Sequence, residues 1–110
     1  MKKNEIEDSD VRLDKWLWAA RFYKTRTLSQ DNIELGRVRM NGVRLKASKT
    51  VKVGEKLEII RGEERFEVIV KALSGKRGNA AAAQALYEET PGSLQKRLLI
   101  RENSKMMPMP

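Results

Sequence analysis

Residues 38–45, VRMNGVRL, leave the chain little freedom. Asn41-Gly42 suits the two left-handed positions of a type I′ turn, and the flanking residues alternate between apolar and basic. A two-residue hairpin follows, with Met40 opposite Val43 and Arg39 opposite Arg44. A sheet must therefore form around the middle of the sequence. The stretch TVKVGEKLEII supplies two short strands around a turn at Gly54, and LEIIRGEERFEVIV supplies a second hairpin turning at residues 61–64. Val51, Val53, Leu57, Ile59, Phe66, Val68 and Val70 are the expected core of this sheet.

Helices precede it. Leu13, Trp16, Leu17 and Ala20 recur at i, i+3, i+4 and i+7, which predicts a helix from about Val11 to Phe22. Trp18 lies off that apolar face. It either packs against the C-terminal segment or is presented to stack on a base. Thr25 stands at an N-cap, a second helix runs to about Leu35, and Gly36 is placed to close it in the left-handed conformation. After the sheet come a loop, SGKRGN, and a helix by propensity, AAAAQALYEE. Thr90-Pro91-Gly92-Ser93 breaks it, and LQKRLLIR adds a last turn or two. The class is α+β, with two N-terminal helices packed on a small, mostly antiparallel sheet, plus a C-terminal helix. The expected organisation is a disordered lead over 1–10, a domain over 11–73, a loop and helical extension over 74–100, and a disordered tail over 101–110.

With 110 residues, one domain is the natural reading. The sequence contains neither cysteine nor histidine. Disulfides, thiol nucleophiles, imidazole bases and the usual zinc or copper sites are excluded, and no catalytic residue, metal or cofactor is expected. No signal-peptide pattern or membrane-length apolar run is visible, so a cytoplasmic protein without a membrane partner is expected. The charge is uneven. Residues 11–56 carry twelve Lys/Arg against four acids, an excess of +8 that equals the formal charge of the whole chain. Such concentration is the footprint of a polyanion binder.

Three places gather that charge. At the entry to the second helix, Lys24, Thr25 and Arg26 surround unpaired backbone N–H groups, a ready phosphate site that Gln30 extends by one turn. In the hairpin, Arg39 and Arg44 are like charges placed face to face. Either an anion occupies the gap, or both side chains splay into water. The RLKASK segment brackets Ser48 with Lys46 and Lys49, a composition suited to nucleic-acid backbone contacts.

Residues 12–59 resemble the S4-type (alpha-L) RNA-binding domain. The matching elements are Arg12-Leu13-Asp14, Thr25-Arg26, Gly36, Val38, Asn41-Gly42, Ser48 and Val53-Gly54-Glu55. KWLWAARFYKTRT together with ALYEET resembles more specifically the bacterial ribosome-associated heat-shock protein 15 family. The resemblance implies binding to rRNA and tRNA on large ribosomal subunits that have dissociated with a blocked peptidyl-tRNA, in their rescue or recycling. A related branch assists chain tailing in ribosome quality control. It places RNA contacts on Arg12, Lys15, Lys24, Thr25, Arg26, Arg37 and Lys49, and a monomer is expected off the ribosome. Asn32 departs from the pattern, which is usually apolar there. It is either a buried, hydrogen-bonded amide or a sign of a partly covered face. The family also carries a longer basic C-terminal extension, of which little follows Ile100.

Two rival classes fare worse. S4-type domains also occur in RNA-modifying enzymes, but no glycine-rich cofactor loop or catalytic carboxylate motif is present, and Asp14 is expected to partner a basic residue. A DNA-binding helix-turn-helix would read bases with RTLSQDNIELG, which contains Asp31 and Glu34 and few base-reading side chains. Non-specific DNA binding is compatible with the charge.

Overall fold

The structure is a computed structural model that describes residues 11–106. Its elements in chain order are β1 (Val11–Arg12), α1 (Leu13–Ala19), α2 (Arg26–Glu34), β2 (Val38–Met40), β3 (Val43–Arg44), β4 (Thr50–Val51), β5 (Lys56–Arg61), β6 (Glu64–Val70), α3 (Ala80–Gln84), β7 (Tyr87–Glu89) and α4 (Pro91–Met106). A five-stranded sheet has the order β3-β2-β5-β6-β7, antiparallel throughout. A separate two-stranded pair joins β1 to β4, with Val11 opposite Val51. No helix among the described residues is long and apolar enough to cross a membrane.

The Asn41-Gly42 hairpin has the expected register, with both turn residues at positive φ, +55° and +79°. Gly36 (φ +80°) closes α2 as expected: its amide donates to the Ile33 carbonyl and that of Arg37 to the Asn32 carbonyl. The same paired motif ends α1, where Arg21 donates to Trp18 and Phe22 to Leu17. Here the left-handed residue is Arg21 (φ +65°), not a glycine.

The first helix is shorter than expected. Val11 and Arg12 are strand, because their partners Thr50 and Val51 compete successfully for the backbone. Val53 is not core: it sits in the turn before Gly54 and is 60% exposed. The other expected core residues of the sheet are buried. The predicted AAAAQALYEE helix stops at Gln84, and Tyr87–Glu89 pair with β6 instead, Tyr87 opposite Val70. Pro91 opens a helix rather than ending one, since its missing N–H is not needed in the first turn. The Thr90 hydroxyl accepts from the Ser93 amide. That helix continues to Met106, where residues from 101 onward were expected to be unstructured. The expected lead, 1–10, lies outside the described residues.

The core lies between α1, α2 and one face of the sheet. Leu13, Trp16, Leu17, Ile33, Val38, Leu57, Ile59, Val68 and Val70 are fully buried. Truncating any one of the leucines to alanine should cost about 2–5 kcal/mol. Trp16 packs with Phe22 and Tyr87 and donates its indole N–H to the Ala72 carbonyl at 3.0 Å. Tyr23 reaches across to the Ile60 carbonyl at 2.8 Å. Burial pushes the Tyr23 phenol up to about 12, so it remains a donor at any working pH. These contacts hold the α1–α2 pair on the sheet and thereby fix where the basic segments lie.

Candidate nucleic-acid interface

Asp14 organises the entry to α2. It is fully buried, and its amide donates to the Ala47 carbonyl at the start of α1. Burial alone would raise its pKa. Two hydrogen bonds from Arg12, one from Gln30 at 2.8 Å and the nearby Arg26 more than offset that, and the carboxyl sits below its ordinary range. It is therefore ionised, and it holds two arginines. Arg12 lies 3.1 Å and Arg26 3.6 Å from the same carboxylate oxygen, with their side chains 48% and 43% exposed. Each guanidinium has more donors than Asp14 uses, and the remainder are open to a ligand. Thr25 is the N-cap, its Oγ1 accepting from the Leu28 amide at 3.0 Å, and Lys24 beside it is exposed.

The loop after the hairpin joins this group. Lys49 and Ala47 offer their carbonyls to the amides of Leu13 and Asp14, which pins the loop to the start of α1. Lys46 and Ser48 are exposed there. Lys49 is not free as expected: its ammonium pairs with Glu55 at 2.9 Å and donates to the Thr50 carbonyl. Gln30 is likewise committed to Asp14.

The arginines of the hairpin lie at the other end of α2, about 13 Å away along a nine-residue helix. Arg39 and Arg44 are directly opposed, as expected, and both stay exposed while each donates to a backbone carbonyl. Arg39 donates to the Gly36 carbonyl at 2.9 Å and Arg44 to the Glu34 carbonyl. Arg37 donates to Asn32 at 3.0 Å. The negative end of the helix dipole is their counter-charge. Gly36 serves twice here, since a Cβ on it would come 3.1 Å from the Arg44 Nε. Asn32 is half-buried and bonds the Leu28 carbonyl as well, while Leu28 and Leu35 are 44% and 65% exposed. That face is only partly covered.

Trp18 is half-buried against the core, and its ring faces Arg77, whose guanidinium carbon lies 5.8 Å from the centroid. The loop before α3 thus lies against Trp18. Lys15, half-buried, runs along the same loop. Arg21 and Arg77, which the sequence did not single out, bond the Gly78 and Lys24 carbonyls across this region. SGKRGN, two glycines flanking Lys-Arg, was a signal that reads equally as any basic loop. Among the described residues no group of three or more His, Cys, Asp or Glu could hold a metal ion.

The fold, with a carboxylate-anchored arginine pair at the entry to α2, defines an S4-type RNA-binding domain, and residues 11–57 match the S4 domain family. The likeness extends beyond the domain. The chain is 49% identical to a heat shock protein 15 homolog of Haemophilus influenzae over 109 residues, 96% of this chain and 83% of that one. A trimeric structure of Vibrio cholerae heat shock protein 15 superposes with a TM-score of 0.80 at 45% identity, covering 88% of this chain and 95% of the other. This chain therefore belongs to the heat shock protein 15 family. A more distant relative is the RQC P-site tRNA stabilizing factor of Bacillus subtilis, 36% identical over 81 residues, 72% of this chain and 94% of that factor.

Proposed function

We propose that this protein is a non-catalytic, cytoplasmic RNA-binding factor of the large ribosomal subunit that acts in rescue or recycling of dissociated subunits carrying blocked peptidyl-tRNA. The observation that carries the reading is Asp14. One buried carboxylate holds Arg12 and Arg26 half-exposed beside the capped start of α2, which leaves guanidinium donors and helix amides for phosphates. Lys15, Lys24, Thr25, Lys46 and Ser48 extend that surface. Arg37, Arg39 and Arg44, folded onto the other end of α2, shape the hairpin more than they offer charge. The match to the S4 domain and the likeness to a tRNA stabilizing factor support a binding role.

Chain tailing in ribosome quality control is the alternative, favoured by the likeness to the P-site tRNA stabilizing factor. In both roles the protein stabilises tRNA on the large subunit. Duplex DNA is a weaker ligand in this reading, because α2, with exposed Asp31 and Glu34, has few base-reading side chains to present to a groove. Off the ribosome we propose a monomer, which size-exclusion chromatography tests against the trimer described for the Vibrio protein. The functional test is sedimentation of a bacterial lysate through a sucrose gradient. The protein should travel with free large subunits, and an Arg26→Ala variant should shift to the top. Equal distribution of both proteins would refute the proposal.

A further inference from the structure

Residues 74–79 lie outside the matched domain, yet they reach back to the entry of α2. One terminal nitrogen of Arg77 lies within donating distance of three carbonyls: Lys24 at 2.9 Å, Tyr23 at 3.0 Å and Trp18 at 3.3 Å. These carbonyls belong to the end of α1 and to the linker that leads into the Thr25 cap. The contact is returned. Arg21, held left-handed at the end of α1, donates through Nε and Nη2 to the Gly78 carbonyl at 3.0 and 2.9 Å. The bare face of Gly75 lies against the end of the Lys15 side chain, where a Cβ would come within 2.8 Å of it.

A left-handed arginine is strained by comparison with glycine, by about 1–2 kcal/mol. Glycine would close the helix more easily but could not reach Gly78. Arg77, half-buried over the Trp18 ring, gathers three carbonyls of the segment that leads into the entry. Masking those oxygens and fixing the linker makes the entry more favourable to phosphate without a phosphate contact from Arg77 itself.

We propose that the 74–79 loop is a positioning clamp for the RNA-binding entry of α2, with Arg77 as the residue that sets Lys24, Thr25 and Arg26. The inference rests on the reading that this entry binds RNA. A lysine at position 77 keeps the charge, but its ammonium ends one bond short of the nitrogen that reaches the three carbonyls and has no planar group to lie over Trp18. Arg77→Lys therefore separates positioning from charge. Arg21→Gly removes the other half of the clamp while leaving the left-handed turn in its easiest form, so folding is secured.

Affinity for bulk tRNA is measured by fluorescence anisotropy for the folded proteins, alone and in a background of Lys24→Ala with Arg26→Ala. Arg77→Lys and Arg21→Gly should each weaken binding roughly tenfold in the native background. In the background without the entry cations they should add almost nothing. Native affinity in both single variants, with Arg26→Ala still weakened, overturns the clamp alone. Equal losses in both backgrounds would make Arg77 an independent contact and overturn it too. If Arg26→Ala binds as the native protein does, the entry is not the RNA site, and both readings fall. Should Arg77→Lys fold poorly, Arg21→Gly decides by the same criteria.

Discussion

The two ends of α2 carry similar numbers of cations and use them in opposite ways. At the start, Arg12 and Arg26 share one buried carboxylate and remain half-exposed, next to helix amides that have no partner. At the finish, Arg39 and Arg44 fold onto the last carbonyls, and Arg37 onto Asn32. The first end is electropositive by its dipole and its side chains together; at the second they oppose each other. In the proposed reading, charge at the first end is left to phosphate, while charge at the second is partly turned toward the backbone.

The largest effect expected from breaking this contrast is at Asp14. Asp14→Asn removes the counter-charge of two arginines and should cost about 2 kcal/mol in denaturant unfolding. The same carboxyl governs acid stability, because its folded pKa is lowered. Its contribution is complete above the unfolded carboxylate value near about 4 and is lost as pH falls through the lower folded value. Glu89, held low chiefly by its hydrogen bonds from Arg97, acts in the same window. Thermal melts between neutral pH and pH 3 should therefore fall steeply for the native protein and less so for Asp14→Asn. Parallel curves would remove Asp14 from its assigned role.

Next in size is Arg26→Ala, which should weaken tRNA binding about tenfold, the loss of one charge-assisted contact, with a small drop in melting temperature. Arg26→Glu would be a poorer probe, since it sets a second carboxylate beside Asp14. Smaller again is Arg44→Thr. Relief of the Arg39–Arg44 repulsion would stabilise the fold, but the bond to the Glu34 carbonyl and the packing over Gly36 are lost. A net destabilisation of about 0.5–1 kcal/mol is expected by denaturant titration. A stabilised variant would mean that the arginine pair is strained and awaits an anion. Val53→Ser should change stability by less than about 0.5 kcal/mol, as an exposed turn residue. A core-sized loss there would show that the turn at Gly54 packs differently.

Features set by adjacent residues were legible in the sequence. The Asn41-Gly42 hairpin, the Thr25 cap and the Gly36 stop each depend on one or two side chains and their own backbone. Features set by distant partners were not. Val11 and Arg12 become a strand because of Thr50 and Val51, and Tyr87–Glu89 leave a helical pattern because β6 has an open edge. Val53 keeps the strand alternation but falls where the chain turns. The site divides along the same line. Residue type and clustering pointed to the α2 entry, while the commitment of Lys49 to Glu55, and of the hairpin arginines to carbonyls, needed the three-dimensional contacts. Arg77 is the extreme case: it acts on residues more than fifty positions earlier.

The contrast between the ends of α2 can be tested in one series. The slope of log affinity for tRNA against log salt counts the phosphates neutralised. It should be measured for the native protein, for Lys24→Ala with Arg26→Ala, and for Arg39→Ala with Arg44→Ala. The first pair should flatten the slope by about 1–2, while the second leaves it within error of the native value. Equal flattening by both pairs, or flattening by the hairpin pair alone, would contradict the assignment of RNA binding to the start of α2.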